Sequence, residues 1–243
     1  MFFIINAIKI IFILGFLVLI HETGHFLVAK LCKVTVKEFA IGFGPTIWKK
    51  QGKVTKYALR LIPLGGFVSM EGEEEHSDKE GSFSKSSIPK RIAIVMAGGL
   101  VNIIFALITY VILITVMTGS INRAIDSTGR FAFSIIESLK LLFSGGVTVN
   151  QLMGPVGISE IIVQTSGIEE FVYIMALISM SLGVTNLLPF PPLDGGKVVL
   201  LLIEAIRRKP IKENTEIKIQ MIGFVVLITL SIIVTFNDIT RIF

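Results

Sequence analysis

The stretch Ile10-Ile11-Phe12-Ile13-Leu14-Gly15-Phe16-Leu17-Val18-Leu19-Ile20-His21-Glu22-Thr23-Gly24-His25 runs an apolar segment straight into two histidines and a glutamate. As a helix, advancing about 100° per residue, it sets His21 and His25 one turn apart and about 40° around the axis, with Glu22 within about 100° of His21. Two imidazoles and a carboxylate therefore share one face. Neutral imidazoles at i and i+4 can both reach one tetrahedral Zn²⁺, while a glutamate between them that does not ligate can take a proton from water. The spacing predicts a hydrolytic zinc site inside a hydrophobic helix, which still lacks a third ligand.

The rest of the chain agrees with a membrane setting. Of 243 residues, 52% are hydrophobic and 17% charged, and the mean hydropathy is +0.79, too apolar for an ordinary soluble domain. We expect an α-helical polytopic membrane protein with four transmembrane helices, at 4–29, 92–118, 171–188 and 219–236. The first carries ionisable residues and no small-residue cleavage site, so it reads as a retained span rather than a signal peptide. The second, Ile92 to Thr118, has no charge in 27 residues. Within it Gly98 and Asn102 share a face suited to packing against the histidine-bearing helix. The single cysteine, Cys32, excludes an intramolecular disulfide and a cysteine-rich metal site. No basic stripe interleaved with aromatics points to nucleic acid.

Charge distribution orients the spans. Lys30 to Arg91 holds twelve Lys/Arg against seven Asp/Glu, and Gly119 to Glu170 only three Lys/Arg. The positive-inside rule makes the first interval cytoplasmic, both termini external, and the histidines close to the cytoplasmic face. Between the first two spans, Phe39 to Trp48 and Val54 to Leu61 flank the turn signal Lys50-Gln51-Gly52-Lys53, predicting a small membrane-associated β-hairpin within 37–70. Its edge either pairs with an unwound substrate or belongs to a purely structural hairpin. Residues 71–87 read as a flexible acidic loop in which His76 is a surface residue. An amphipathic external segment follows at 131–165, with a short helix over Ile158 to Thr165.

The third span ends in Asn186-Leu187-Leu188-Pro189-Phe190-Pro191-Pro192-Leu193-Asp194-Gly195-Gly196, where prolines and glycines break the helix. Asp194 alone suits a turn or helix cap. The topology, however, sets it at the depth of His21 and His25, which favours a metal-site role. Irregular backbone at such depth is tolerated where it lines a polar cavity or is buried in protein.

The His21–His25 motif, paired with the segment Asn186 to Gly196, resembles the site-2 protease family of intramembrane zinc metalloproteases. Gly42-Phe43-Gly44-Pro45, the segment Pro63 to Gly72 and Phe236-Asn237-Asp238 resemble its bacterial branch, which includes the regulated protease acting on anti-sigma factors. The resemblance implies a single protease domain over 1–243 in the bacterial cytoplasmic membrane. It implies His21, His25 and Asp194 as Zn²⁺ ligands, Glu22 as catalytic base and Asn186 as a contact to the substrate backbone. The hairpin would be the family's membrane-dipping β region. Implied substrates are transmembrane segments of single-pass proteins, anti-sigma-factor-like, or remnant signal peptides, with the lipid bilayer as the other partner. The branch usually carries PDZ domains between its second and third spans; here Gly119 to Arg130 leaves no room for one before the amphipathic segment. A monomer is the default. The competing class is a non-enzymatic metal-binding membrane protein, either a transporter or an inactive protease-like chaperone. A transporter would have no use for Glu22 and would more often show paired repeats.

Overall fold

A computed structural model of the chain describes residues 2–73, 75, 77–146 and 152–242. The expectation for His76 and, within the expected 131–165 segment, residues 147–151 fall outside these residues. Along the chain run α1 (Phe2–Leu31), β1 (Val36–Gln51), β2 (Lys56–Met70), α2 (Ile88–Thr118), α3 (Ile121–Phe143), α4 (Pro155–Gln164), α5 (Ile168–Asn186), α6 (Asp194–Arg207) and α7 (Glu213–Ile242). Four helical stretches, Ile4–Leu31, Ile88–Thr118, Ile168–Asn186 and Glu213–Arg241, are long and apolar enough to cross a membrane. They match the four expected spans, most of them extended by turns that carry flanking polar residues. The third closes at Asn186 rather than at 188. Its last turns tighten to bonds from Leu187 N–H to Val184 and from Leu188 N–H to Thr185, because Pro189 offers no N–H and disfavours a helical residue before it.

The chain divides into two compact units. One comprises Ile11–Asn102 and Leu182–Gly223. Here α1 ends with Lys33 in the left-handed region, φ 63°, and the N–H of Val34 returns to the carbonyl of Ala29 at 2.8 Å, a Schellman-type closure that turns the chain into β1. The two strands form one sheet with several register shifts. Glu38 to Ile41 stand opposite Ser69 to Gly66 on one side and opposite Lys56 to Leu59 on the other, while Trp48 to Gln51 pair with Leu59 to Lys56. Each strand therefore doubles back, at Gly42 to Pro45 and near Ile62 to Gly65, and the far turns expose Phe43, Ile47, Leu61 and Ile62. Lys49, Lys50 and Lys56 gather at the opposite end, level with Val36 and Met70.

The core of this unit joins the end of α1, the base of the sheet and the starts of α2 and α6 through Ala29, Val34, Val36, Met70, Phe83, Ile94, Val95 and Leu201. Phe83 belongs to the acidic loop read from sequence as solvated, yet it and Ser82 are buried. The N–H of Glu71 bonds Thr35 O, and that of Phe83 bonds Glu71 O, so the loop continues the sheet base. A lone apolar residue among polar ones carries no periodic signal of such burial.

The other unit comprises Met1–Ile10, Ile103–Ser181 and Phe224–Phe243. Its α3 starts earlier than the amphipathic stretch expected from 131, because Ser120 caps the helix by accepting from the N–H of Arg123. Tyr110 stacks on Phe131 with ring centres 4.4 Å apart. The short helix α4 is held at both ends. Asp238 Oδ2 accepts from the N–H groups of Gly154 and Gly157 at 2.9 and 2.8 Å, and Lys9 Nζ donates to Thr165 O at 2.8 Å. A carboxylate at a helix N-terminus and an ammonium at the C-terminus each complement the helix dipole.

Candidate metal centre

His21, Glu22 and His25 lie on α1 as the spacing predicts, and both imidazoles are nearly buried. Asp194 opens α6. Its position follows from the glycines after it: a Cβ on Gly195 would stand 2.3 Å from the carbonyl oxygens of Leu187 and Leu188. Only glycine lets the first turn of α6 pack this closely on the broken backbone that follows α5. The carboxylate thereby reaches the histidines across a sequence separation of 169 residues from His25 to Asp194.

His21 Nε2 and His25 Nε2 are 3.1 Å apart, and Asp194 Oδ2 stands 3.2 Å from the first and 3.4 Å from the second. Zn–N and Zn–O bonds of about 2.0–2.1 Å in a tetrahedron separate ligand atoms by about 3.3–3.4 Å. The three atoms thus nearly span one face of such a tetrahedron. Asp194 Oδ2 is buried without a hydrogen-bond partner, a costly state for a carboxylate that a cation would relieve. The group fits a zinc ion with three protein ligands and an open fourth position, the pattern of a catalytic rather than a structural site.

Helix α2 supports the group from behind. His25 Nδ1 lies 2.9 Å from Ile94 O, so Nδ1 carries the proton and Nε2 is left as the ligand nitrogen. One turn on, a Cβ at Gly98 would meet His25 Nε2 at 2.3 Å and His21 Cε1 at 2.7 Å. A further turn on, Asn102 Nδ2 donates to Leu17 O at 3.3 Å. Leu17 is four residues before His21, so its carbonyl is the helical acceptor of the His21 N–H. The sequence reading of Gly98 and Asn102 as a packing face was therefore too modest: this stripe of α2 meets the imidazoles themselves. The carbonyl of Ile94 leaves no mark in the side-chain pattern and was not anticipated.

Glu22 lies within electrostatic reach of His25, His21, Asp194 and Glu73. Its Cγ is 3.2 Å from where a Cβ on Gly66 would stand, so β2 passes directly beside it. The described pairing occupies one side of residues 66–69, toward 38–41, and no strand covers their other side among the described residues. Asn186 is partly buried at the end of α5, and none of the described hydrogen bonds joins it to the His–His–Asp group. Glu73, absent from the sequence expectations, receives a hydrogen bond from Lys197 Nζ at 2.8 Å. At the sheet, partial desolvation pushes the Glu38 pKa up, but hydrogen bonds from Arg60 and Lys56 outweigh this and hold its carboxyl below the usual carboxylate range.

Residues 9–230 match the description of peptidase family M50. The chain belongs to that family. It is a peptidase of the site-2 protease type and a multi-pass membrane protein. A relative from Clostridium acetobutylicum, provisionally named a zinc metalloprotease, is 28% identical over 96% of this chain and 97% of its own length. A similarly named protein of Fusobacterium nucleatum is 25% identical over 95% of this chain and 97% of its own length. The zinc metalloprotease RasP of Shouchella clausii is 41% identical over 129 residues, covering 52% of this chain and 31% of its own. The clostridial alignment extends over 329 positions, more than the 243 residues present here, so that relative carries inserted sequence which this M50 peptidase lacks.

Proposed function

We propose that this M50 peptidase is a zinc-dependent endopeptidase that cuts transmembrane segments of single-pass proteins, anti-sigma-factor-like, or remnant signal peptides, at the cytoplasmic side of the cell membrane. The observation that carries the reading is the convergence of His21, His25 and Asp194 at near-tetrahedral spacing, with Glu22 next to His21 on the same helix and a strand edge alongside that is unpaired among the described residues.

When bound, zinc supplies an acidified water and a positive charge beside the scissile carbonyl. The chain's own residues do the rest. Glu22 accepts the proton of the attacking water on its carboxylate and returns it to the departing amine. Ile94 O fixes the His25 tautomer, and Gly98 leaves the space that both imidazoles occupy. A substrate helix hides its carbonyls in its own hydrogen bonds and must unwind; the freed strand then pairs with residues 66–69, bringing a peptide bond next to Glu22. Asn186 is assigned to hold the substrate backbone, on the family resemblance of its motif. The lysines at one end of the sheet and the exposed apolar turns at the other suit a sheet that dips into the bilayer from a cytoplasmic surface, with both termini external.

The test reconstitutes the full chain with a tagged single-pass substrate whose helix contains Gly and Pro near its centre. Wild type cleaves it; Glu22→Gln keeps its zinc and loses activity by about 10²- to 10⁴-fold, the worth of a general base. If both proteins hold zinc and neither cuts several such substrates, a non-enzymatic metal-binding role replaces this reading.

A further inference from the structure

A groove of about 580 Å³ opens beside the outer edge of β2, between Phe67 to Ser69 and the first turns of α7. Glu73, Glu75, Glu213 and Glu216 line it, with Lys197 as its one basic residue among the described residues. Lys197 is already paired with Glu73 at 2.8 Å. Glu75, Glu213 and Glu216 make no ion pair among the described residues, and Glu216 accepts only from the side chain of Gln220, at 3.2 Å. An adjoining groove of about 490 Å³ shares Glu73, Lys197, Glu213 and Glu216. The adjoining groove also holds Arg91, which is paired with Glu204; Lys209, Lys212 and Lys218 do not line either groove.

The groove is continuous with the edge that carries the proposed substrate strand. Gly66 lies beside Glu22, and Ser69 lies three residues further, about 10 Å along an extended chain. That direction leads to the lysine-rich end of the sheet, where Ser69 stands opposite Glu38 and Met70 opposite Val36. A strand paired here presents the residues about three positions from its scissile bond to the acidic walls. Those residues belong to the cytoplasmic flank of the substrate, where transmembrane segments concentrate Lys and Arg.

We propose that this groove is a specificity subsite for the basic cytoplasmic flank of the substrate, held by Glu75, Glu213 and Glu216. The inference rests on the proposed peptidase reading and adds to it a rule for choosing among transmembrane segments without an external filtering domain. Glu213 and Glu216 also suit the N-terminus of α7; the charge dependence of cleavage separates the two roles.

The experiment uses the full-length protein in vesicles and one substrate helix with three flanks, carrying three Lys, three Gln or three Glu just beyond the cut. The readout is the ratio of kcat/KM between flanks within each enzyme. Wild type favours the Lys flank over the Gln flank by about three- to tenfold, the effect of two or three partly exposed ion pairs. In E213K/E216K that preference vanishes and the Glu flank becomes the better substrate. Lys218→Gln, outside the groove, leaves the ratio as in wild type. A wild-type ratio near one, with all three substrates cut, overturns the subsite and leaves the peptidase reading standing. So does a uniform loss on all three flanks in E213K/E216K, which would assign the acids to α7 alone. No cleavage of any flank by wild type defeats both readings.

Discussion

Each of the two units sets an aspartate beside the start of a helix, and the two are used in opposite ways. Asp238 is fully buried and its Oδ2 takes N–H groups from Gly154 and Gly157, with the Arg241 guanidinium 3.7 Å from Oδ1. Asp194 keeps a quarter of its side chain accessible, yet the oxygen that faces the imidazoles has no hydrogen-bond donor. A carboxylate whose oxygen is filled by backbone donors acts as a cap and organises a helix terminus. One left unsatisfied beside two imidazole nitrogens is placed to suit a cation. Each acid has one buried oxygen without a hydrogen bond, and what faces that oxygen, a guanidinium at Asp238 and two imidazole nitrogens at Asp194, separates the two.

The sharpest way to break this comparison is to neutralise each acid in turn. Asp194→Asn should lose zinc and, with it, all measurable cleavage while melting near the wild-type temperature in detergent. Asp238→Asn should keep its zinc content and most of its activity. Retained zinc in Asp194→Asn, or lost zinc in Asp238→Asn, would erase the distinction.

The next effect concerns space rather than charge. Gly98→Ala places a methyl group 2.3 Å from His25 Nε2, so metal binding should weaken by about 10- to 100-fold, as when a supporting residue of a metal site is disturbed. Gly129 on α3 has nothing within 4 Å of a new Cβ. Gly129→Ala should leave zinc affinity unchanged and stabilise its helix by about 0.5–1 kcal/mol. Competition with a zinc-binding dye measures both affinities, and equal affinities in the two variants would remove Gly98 from the site.

A smaller effect is expected for Asp238→Asn on stability. Weakening two charge-assisted bonds to the N-terminus of α4 should cost about 1–3 kcal/mol, read as a lower melting temperature together with faster amide exchange at Gly154 and Gly157. Unchanged exchange there would mean that the cap is idle.

The smallest is a pH effect at the sheet. Glu38 titrates below its ordinary value of 4.5 in the folded chain, so its bonds to Arg60 and Lys56 add stability that is present above about 4.5 and lost as pH falls through the lower folded value. Protease protection of residues 36–60 should decline over that acid range in wild type and less steeply in Glu38→Gln. Equal slopes would show that the ion pairs contribute nothing, as exposed pairs often do.

The spans and the pairing of His21 with His25 were legible because both are local. Apolar runs report lipid, and a spacing of four reports one helix face. The hairpin was legible at its turn, Gln51-Gly52, but not at its doubled registers, since the bends at Gly42 to Pro45 and at Gly65 decide which residues face each other. The start of α3 lies outside the amphipathic stretch because the Ser120 cap, a single polar residue, sets it rather than any apolar period. Phe83 was missed because a single buried residue has no period.

The amino-acid sequence by itself determined that this is a membrane protein with two imidazoles and a carboxylate on one buried helix face, since hydropathy and helical spacing are properties of neighbours along the chain. Only the tertiary structure decided that Asp194 meets His21 and His25, that Ile94 O and Gly98 pack against the imidazoles, and that the edge at Gly66, uncovered among the described residues, runs beside Glu22 toward an acidic groove. Those are relations between segments far apart in the chain, set by close backbone packing at glycines and by which polar atoms remain without a partner.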